Sequence, residues 1–205
     1  LIRERTVTMK TIMKSVLCLV LIAAAFGSLP AKTLFAWSSG PPAYRTGAPG
    51  DEGTCNADGC HNSFPIDSGS AKFSISGSSA YTPGKAVKIE VSFSDSGGKL
   101  HGFEMTAVDA DGNRVGKFKN IGSTTRVISP NDPARGLEKK DKGKYIEHTI
   151  KGSKKKSWKV KWTPPVSATG TITFYAAGND ANGDGAYSGD YIYTTTLEIP
   201  AASGQ

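Results

Sequence analysis

The strict alternation of apolar and polar residues in two stretches of the sequence limits the possible fold more than any other feature. The stretches are residues 85–93 and 157–163. In the second, Trp158, Val160 and Trp162 fall on one side of an extended chain. A period of two with β-branched and aromatic residues is typical of half-buried β-strands.

Residues 71–199 repeat this pattern in short segments separated by turn-forming residues. The predicted strands are 72–76, 85–93, 102–108, 114–118, 126–128, 145–150, 157–163, 171–176 and 191–199. Turns rich in Gly, Pro, Asp and Asn separate several of them. No segment after residue 70 has a convincing helical period. We therefore predict an all-β domain, an antiparallel sandwich of two sheets resembling the immunoglobulin type.

The residues before this domain differ from it in composition. Residues 37–70 are rich in Gly, Pro, Ser, Asp and Asn and have little apolar periodicity. Such a stretch buries little surface alone and is expected to be irregular unless a cofactor or a disulfide holds it. The predicted organisation is a signal peptide (1–36), an irregular segment with two cysteines (37–70), the β-sandwich (71–199) and a tail (200–205).

Residues 1–36 have the layout of a secretory signal peptide. Lys10 and Lys14 precede an apolar run over 15–29, and Ala36 is the expected last residue before cleavage. The alternative is a retained anchor, but a spanning helix needs about 20 apolar residues. Met9 is a candidate start. We therefore expect an exported protein, periplasmic or extracellular, that contacts the membrane only during its export.

Removal of residues 1–36 changes the charge and the cysteine count. It takes five basic residues and one acidic residue, so the formal net charge falls from +7 to +3. Cys18 is removed as well, which leaves two cysteines. A weakly basic chain gives no support for nucleic-acid binding. The remaining lysine runs in 139–156 are expected in solvated loops, with docking to an acidic redox partner as the alternative.

The two remaining cysteines and a histidine form the most informative motif. Cys55, Cys60 and His61 have the spacing C-x4-C-H, whereas the usual haem-attachment spacing is C-x-x-C-H. In a haem site two thiols add to the vinyl groups and the adjacent imidazole binds iron. Turn-forming residues inside the motif, such as Asn56 and Gly59, allow two extra residues to loop outward.

Two other interpretations of these residues remain open. A Cys55–Cys60 disulfide is common for a cysteine pair in an oxidising compartment. A zinc site is the third possibility, although Cys55, Cys60 and His61 supply only three ligands. Haem is the interpretation that explains why His61 directly follows the second cysteine.

Several segments resemble a family of exported bacterial proteins in which a C-x-x-C-H-type site precedes a Reeler-like β-sandwich (the "choice-of-anchor V" type). The resemblance covers nearly all of residues 38–199. The segments that carry it are 40–44, 46–50, 54–55, 60–61, 81–84, 102–107, 145–149, 162–165, 174–179 and 189–194. It implies a Reeler-like sandwich and favours one haem c, covalently attached through Cys55 and Cys60 and ligated by His61.

The second axial ligand of such an iron would come from a small set of residues. The histidines are His61, His101 and His148. We predict His148, which follows the alternation of Ile146 and Ile150 on an apolar side, because a polar imidazole there needs a partner. A backbone hydrogen bond is the ordinary alternative for such a histidine. Met105 is the second candidate for the iron, and a core residue is its ordinary role.

The run 179–185, ending near Asp190, is the other candidate site. Asp180, Asn182 and Asp184 alternate as in calcium loops, but the twelfth position is Tyr191 rather than an acid. An ordinary Asx- and Gly-rich connection is therefore expected, with calcium as a minor possibility.

These observations favour an electron carrier over an enzyme. With both axial positions filled, a haem iron supports one-electron transfer, whereas an open position permits peroxide or gas chemistry. No catalytic triad, carboxylate pair or phosphate loop is evident. The expected partner is a redox protein, and self-assembly is possible. The alternative function is an extracellular adhesion or recognition sandwich with a Cys55–Cys60 disulfide and no haem.

Overall fold

A computed structural model describes residues 38–203, and these residues contain nine β-strands and two single turns of 3₁₀ helix. The strands are β1 (Lys72–Gly77), β2 (Val87–Ser94), β3 (Leu100–Val108), β4 (Lys117–Asn120), β5 (Thr125–Val127), β6 (Tyr145–His148), β7 (Ser157–Thr163), β8 (Thr171–Ala181) and β9 (Tyr191–Pro200). The 3₁₀ turns are Lys139–Asp141 and Gly152–Lys154.

The strands form two sheets. One has four strands in the order β1-β2-β7-β4, and the other has five in the order β5-β6-β3-β8-β9. Every pair of neighbouring strands is antiparallel. The prediction of an all-β antiparallel sandwich is confirmed.

The alternating side chains meet between the sheets as the sequence pattern predicts. Trp158, Val160 and Trp162 of β7 are all at most 1% exposed and lie in the main core cluster. Phe174 of the facing sheet packs edge-on against Trp162, with ring centroids 5.0 Å apart. The indole Nε1 of Trp162 donates to the carbonyl of Val115 at 3.2 Å, so its polar group is satisfied inside the core.

Several strand boundaries differ from the predicted ones, and three of these differences bear on the site and its surroundings. β4 begins at Lys117 rather than 114, because Arg114 forms only an isolated bridge with Val108. β6 ends at His148, so Ile150 lies beyond it and is 60% exposed. β8 continues to Ala181, five residues past its predicted end.

The N-terminal segment (residues 38–70) forms a third layer. It covers part of the outer face of the five-stranded sheet, by which we mean the face turned away from the four-stranded sheet. All residues of β3 after Leu100 are consequently buried, on both faces. Near its end the segment is fixed to the edge strand β9, where Phe64 stacks on Tyr191 with centroids 4.2 Å apart.

The predicted signal peptide, residues 1–36, lies outside the described residues. Between residues 38 and 203, no helix has the length and apolar character needed to cross a membrane.

Shortening Trp162 tests how far the core depends on this residue. Trp162→Ala should lower the free energy of unfolding by about 3–5 kcal/mol, because it removes a fully buried ring and leaves a cavity. Urea unfolding followed by circular dichroism measures this change. Val166→Ala is the control, since Val166 is 86% exposed. A loss for Trp162→Ala no larger than that of the control would contradict the packing described.

Candidate functional site

The Cys–His loop (residues 55–61) closes on itself. The amide of His61 donates to the carbonyl of Cys55 at 3.1 Å, and the amide of Cys60 donates to Ala57 at 2.9 Å. Asn56 supports the turn because its side-chain amide donates to the carbonyl of His61 at 3.0 Å. The four residues between the cysteines therefore form a compact turn, and both ends of the motif lie together.

The two cysteines are free thiols in different environments. Cys55 is buried and packs with Ala177 and Ile192 on the outer face of the five-stranded sheet. Burial raises the pKa of its thiol to about 12, so the thiol is protonated at neutral pH. Cys60 is partly exposed. Only Cys60 is therefore accessible in this conformation, while Cys55 contributes to the contact between loop and sheet.

The imidazole of His61 is held by an acidic side chain. Its Nδ1 lies 2.8 Å from Oδ2 of Asp190, a residue that is 1% exposed. The side-chain amide of Asn179 lies 3.2 Å from Nδ1 and 3.3 Å from Nε2 of the ring. Oδ1 of Asn179 is buried without a hydrogen-bond partner among residues 38–203. A carboxylate fixes the orientation of this imidazole from behind, as it does for many metal-binding histidines.

Glu104 holds the start of the N-terminal segment in place. Its two carboxylate oxygens accept the backbone amides of Tyr44 at 3.0 Å and Arg45 at 3.2 Å. The side chain is 0% exposed on the outer face of β3. Burial, together with the nearby carboxylates of Asp51 and Glu147, raises its pKa well above the usual value.

A second buried carboxylate fixes the residues before Tyr44. Glu147 lies opposite Glu104 on β6 and accepts from Nε of Arg126 at 2.6 Å. Arg126 and Arg135 also donate to the carbonyl of Ser39, at 2.9 and 3.0 Å. Burial raises the pKa of Glu147 to about 7 although two guanidinium groups are close. Two acids and two arginines thus hold this part of the segment through its backbone.

His148 lies on the same outer face as His61. Its ring occupies the space in which Gly102 would carry a side chain, with Cε1 only 2.5 Å from that position. Gly102 of β3 pairs with Asn179 of β8, and the side chain of Asn179 contacts the ring of His61. The rings of His148 and His61 therefore lie over neighbouring strands. The ring of His148 thus does not share the interior side with Ile146. It accepts from the amide of Phe103 at 3.1 Å and has a backbone hydrogen bond with Ser38.

Met105 lies on the other face of the sheet. It is 0% exposed in the core between the sheets and pairs with Ala176 and Ile146. The thioether therefore points away from His61.

The residues of the possible calcium loop point in different directions. Oδ1 of Asp180 accepts from Ser96 and from the amide of Gly98. Asp190 instead contacts His61, and Asn182 and Asp184 form Asx turns with the local backbone. Among residues 38–203 there is no group of three or more His, Cys, Asp or Glu residues arranged for a metal ion.

One cluster was missed by the sequence analysis. Oγ of Ser96 lies 2.5 Å from Nε2 of His101 and 2.7 Å from Oδ1 of Asp180. Ser96 and Asp180 both contact the same ring nitrogen, whereas a catalytic triad uses opposite nitrogens. The serine hydroxyl that donates to Asp180 then accepts from the ring, so it is not activated as a nucleophile. Residues 84 positions apart in sequence gave no pattern from which to predict the cluster.

Comparison with protein families identifies a Reeler domain. The model of the Reeler domain matches residues 53–178, which include the Cys–His loop and eight of the nine strands at least in part. No curated protein matches the chain.

Removal of the Glu104 carboxylate tests its role in holding the N-terminal segment. Glu104→Ala should leave two partly buried amides without acceptors and lower the free energy of unfolding by about 2–4 kcal/mol. Hydrogen exchange of the Tyr44 and Arg45 amides should become faster, because the segment separates from the sheet more often. Glu90→Ala, on the other sheet, is the control. Unchanged protection of both amides in Glu104→Ala would refute this role.

His148 makes the stability depend on pH. Burial lowers the pKa of its imidazole to about 4, below the usual 6.5. The neutral ring therefore contributes fully to the free energy of unfolding above pH 6.5, and this contribution is lost as the pH falls through 4. Glu147 has the opposite effect, since its raised pKa gives stability below pH 4.5 that is lost as the pH rises through 7.

A variant at His148 separates these two effects. Between pH 7.5 and 4.5, the stability of the wild type relative to His148→Gln should fall by about 2–3 kcal/mol. Urea titrations of both proteins at each pH measure it. A difference that does not change with pH would show that the imidazole is not buried in its neutral form.

Proposed function

Because the chain belongs to the Reeler domain family, whose members are typically extracellular β-sandwiches, we propose that it is an exported monohaem c-type electron carrier. Haem c would be covalently attached through Cys55 and Cys60, with His61 as an axial ligand. The protein is then a redox protein and not an enzyme, and it acts in the periplasm or outside the cell after cleavage of its signal peptide.

The arrangement of His61 is the observation that carries this proposal. The closed loop places an imidazole directly after a partly exposed thiol, and the buried Asp190 holds Nδ1 of that imidazole. Hydrogen bonds of this kind fix the tautomer of a ligating histidine. Nε2 would be the atom that binds the metal, and the side-chain amide of Asn179, now 3.3 Å from it, would have to turn away. A disulfide alone would give the His61–Asp190 pair no function.

The residues around the loop fit a covalently attached haem. Both thiols are free, and the hydrogen bond from His61 to Cys55 brings the ends of the widened C-x4-C-H motif together. Oδ1 of Asn179 is an unused acceptor beside the imidazole. The haem supplies reversible one-electron chemistry when it is bound. Cys55 must leave its contact with Ala177 and Ile192 for attachment, so we expect attachment to precede final docking of the loop.

His148 is the residue we propose as second axial ligand. It lies on the same face as His61, above the neighbouring strand. To bind iron it must exchange its hydrogen bonds with Phe103 and Ser38 for the metal. Met105 points to the opposite face and would require the sheet to open.

Family membership also supports a second function. As an extracellular β-sandwich, the protein could act in adhesion or recognition, with Cys55 and Cys60 joined in a disulfide. The two functions make opposite predictions for the state of the thiols after export.

Production of the protein with the haem-maturation machinery tests the proposal. We expect one haem per chain that remains attached after denaturation, visible in the absorption spectrum and as an added mass. Cys55→Ser and Cys60→Ser should each reduce the amount of doubly attached haem, and His61→Ala should abolish the low-spin spectrum. A chain that carries no haem and has lost two hydrogens would establish the disulfide and overturn the proposal.

The second ligand is tested in the same preparation. His148→Ala should convert the iron to a high-spin or carbon monoxide-binding form, whereas Met105→Ala should leave the spectrum unchanged. If neither variant changes the low-spin spectrum, the assignment of His148 is wrong.

A further inference from the structure

The outer face of the four-stranded sheet is strongly basic. Its strands direct six lysines to solvent, and Glu90 is the only acidic residue that they contain. These lysines are Lys72, Lys88, Lys117, Lys119, Lys159 and Lys161. We call this surface the lysine face. All six lysines are exposed. Lys117 contacts the turn at residues 142–143, where its Nζ donates to the carbonyl of Lys142.

Three of the lysines form a row across three strands. Lys161 of β7 pairs with Lys88 of β2 on one side and with Lys119 of β4 on the other. Neighbouring strands are about 4.8 Å apart, so three like charges lie directly side by side. Like charges in opposite register destabilise a sheet. The row therefore works against folding.

The part of the chain that the structure describes does not neutralise this row. Lys159 lies 3.8 Å from Glu90, and Lys72 lies 3.1 Å from Asp95. For Lys88, Lys119 and Lys161, residues 38–203 provide no ion pair or hydrogen bond within the usual distances. An anion that approaches the lysine face would meet three uncompensated ammonium groups in a plane.

Charge is distributed unequally between the two sides of the sandwich. The N-terminal segment, which covers the opposite side, contains Asp51, Glu52, Asp58 and Asp67 but only one arginine, Arg45. Stacked sheets are about 10 Å apart, so both sheets separate the lysine face from the Cys–His loop. A partner on the lysine face would therefore leave the loop accessible.

We propose that the lysine face binds the protein to a surface of anionic lipid headgroups. The face is flat, as a sheet surface is, and its three-lysine row has no groove or exposed aromatic ring of the kind used to hold a single sugar chain or peptide. A dense plane of phosphate groups matches it in shape and in charge. Each lysine near such a surface contributes about fivefold in affinity. This proposal does not depend on the presence of haem.

Vesicle binding by the full-length exported protein tests the proposal. We expect sedimentation with vesicles of phosphatidylglycerol mixed with phosphatidylcholine, no binding to phosphatidylcholine alone, and weaker binding at high salt. The triple variant Lys88→Gln, Lys119→Gln, Lys161→Gln should bind about 100-fold more weakly. The variant should also unfold at an equal or higher urea concentration, because a repulsive row has been removed.

A matched variant separates the lysine row from net charge. Lys99→Gln, Lys139→Gln, Lys151→Gln removes the same charge from exposed positions outside this sheet and should retain most of the binding. Equal loss in both variants would overturn the proposal, because overall charge would then explain the binding. Failure of the wild type to prefer anionic vesicles would overturn it as well. Tighter binding of an acidic polysaccharide or of an acidic protein by the same lysines would overturn the assignment to lipid.

Discussion

Glu104 and Glu147 lie fully buried on the outer face of a β-sheet, where their carboxylates lose water and need other hydrogen-bond donors. Glu104 obtains two backbone amides from Tyr44 and Arg45, and Glu147 obtains guanidinium groups from Arg126 and Arg135. Without residues 38–45 the Glu104 carboxylate would face solvent, and without Glu104 the amides of Tyr44 and Arg45 would lose their acceptor. The irregular segment and the sheet therefore depend on each other.

This dependence explains how a segment with little apolar sequence is ordered. Its apolar contribution is limited to a few contacts: Ala43 and Tyr44 pack near Tyr145, Cys55 packs on Ala177 and Ile192, and Phe64 stacks on Tyr191. Polar contacts at defined positions hold the remainder, because a buried carboxylate accepts hydrogen bonds only in certain directions. The Cys–His loop follows this fixed segment directly. The loop is thereby placed over β8 and β9, where Asp190 can reach His61.

The sequence predicted the sandwich well because alternation in β2 and β7 depends only on which side of a strand is buried. It predicted the outer face less well. β3 and the middle of β8 are buried on both sides, so alternation is lost there and Ala177, Gly178 and Asn179 gave no strand signal. The partner of His61 could not be predicted either, since Asp190 is far away in sequence. Its neighbours in the sequence indicate only a turn or a calcium loop. His148 was placed on the wrong side by alternation, because Gly102 leaves space for its ring on the outer face.

The two outer surfaces of the sandwich follow different physical rules. On one, buried acids accept hydrogen bonds from an added segment, and the Cys–His loop lies beside them, over β8 and β9. On the other, Lys88, Lys161 and Lys119 are aligned in register, and residues 38–203 supply no ion pair for them. A fold optimised for stability alone would alternate charges across β2, β7 and β4, as Glu90 and Lys159 do one step along the strands. The like-charge row is therefore best explained by something outside the chain, and the opposite placement of the loop allows both surfaces to be used at once.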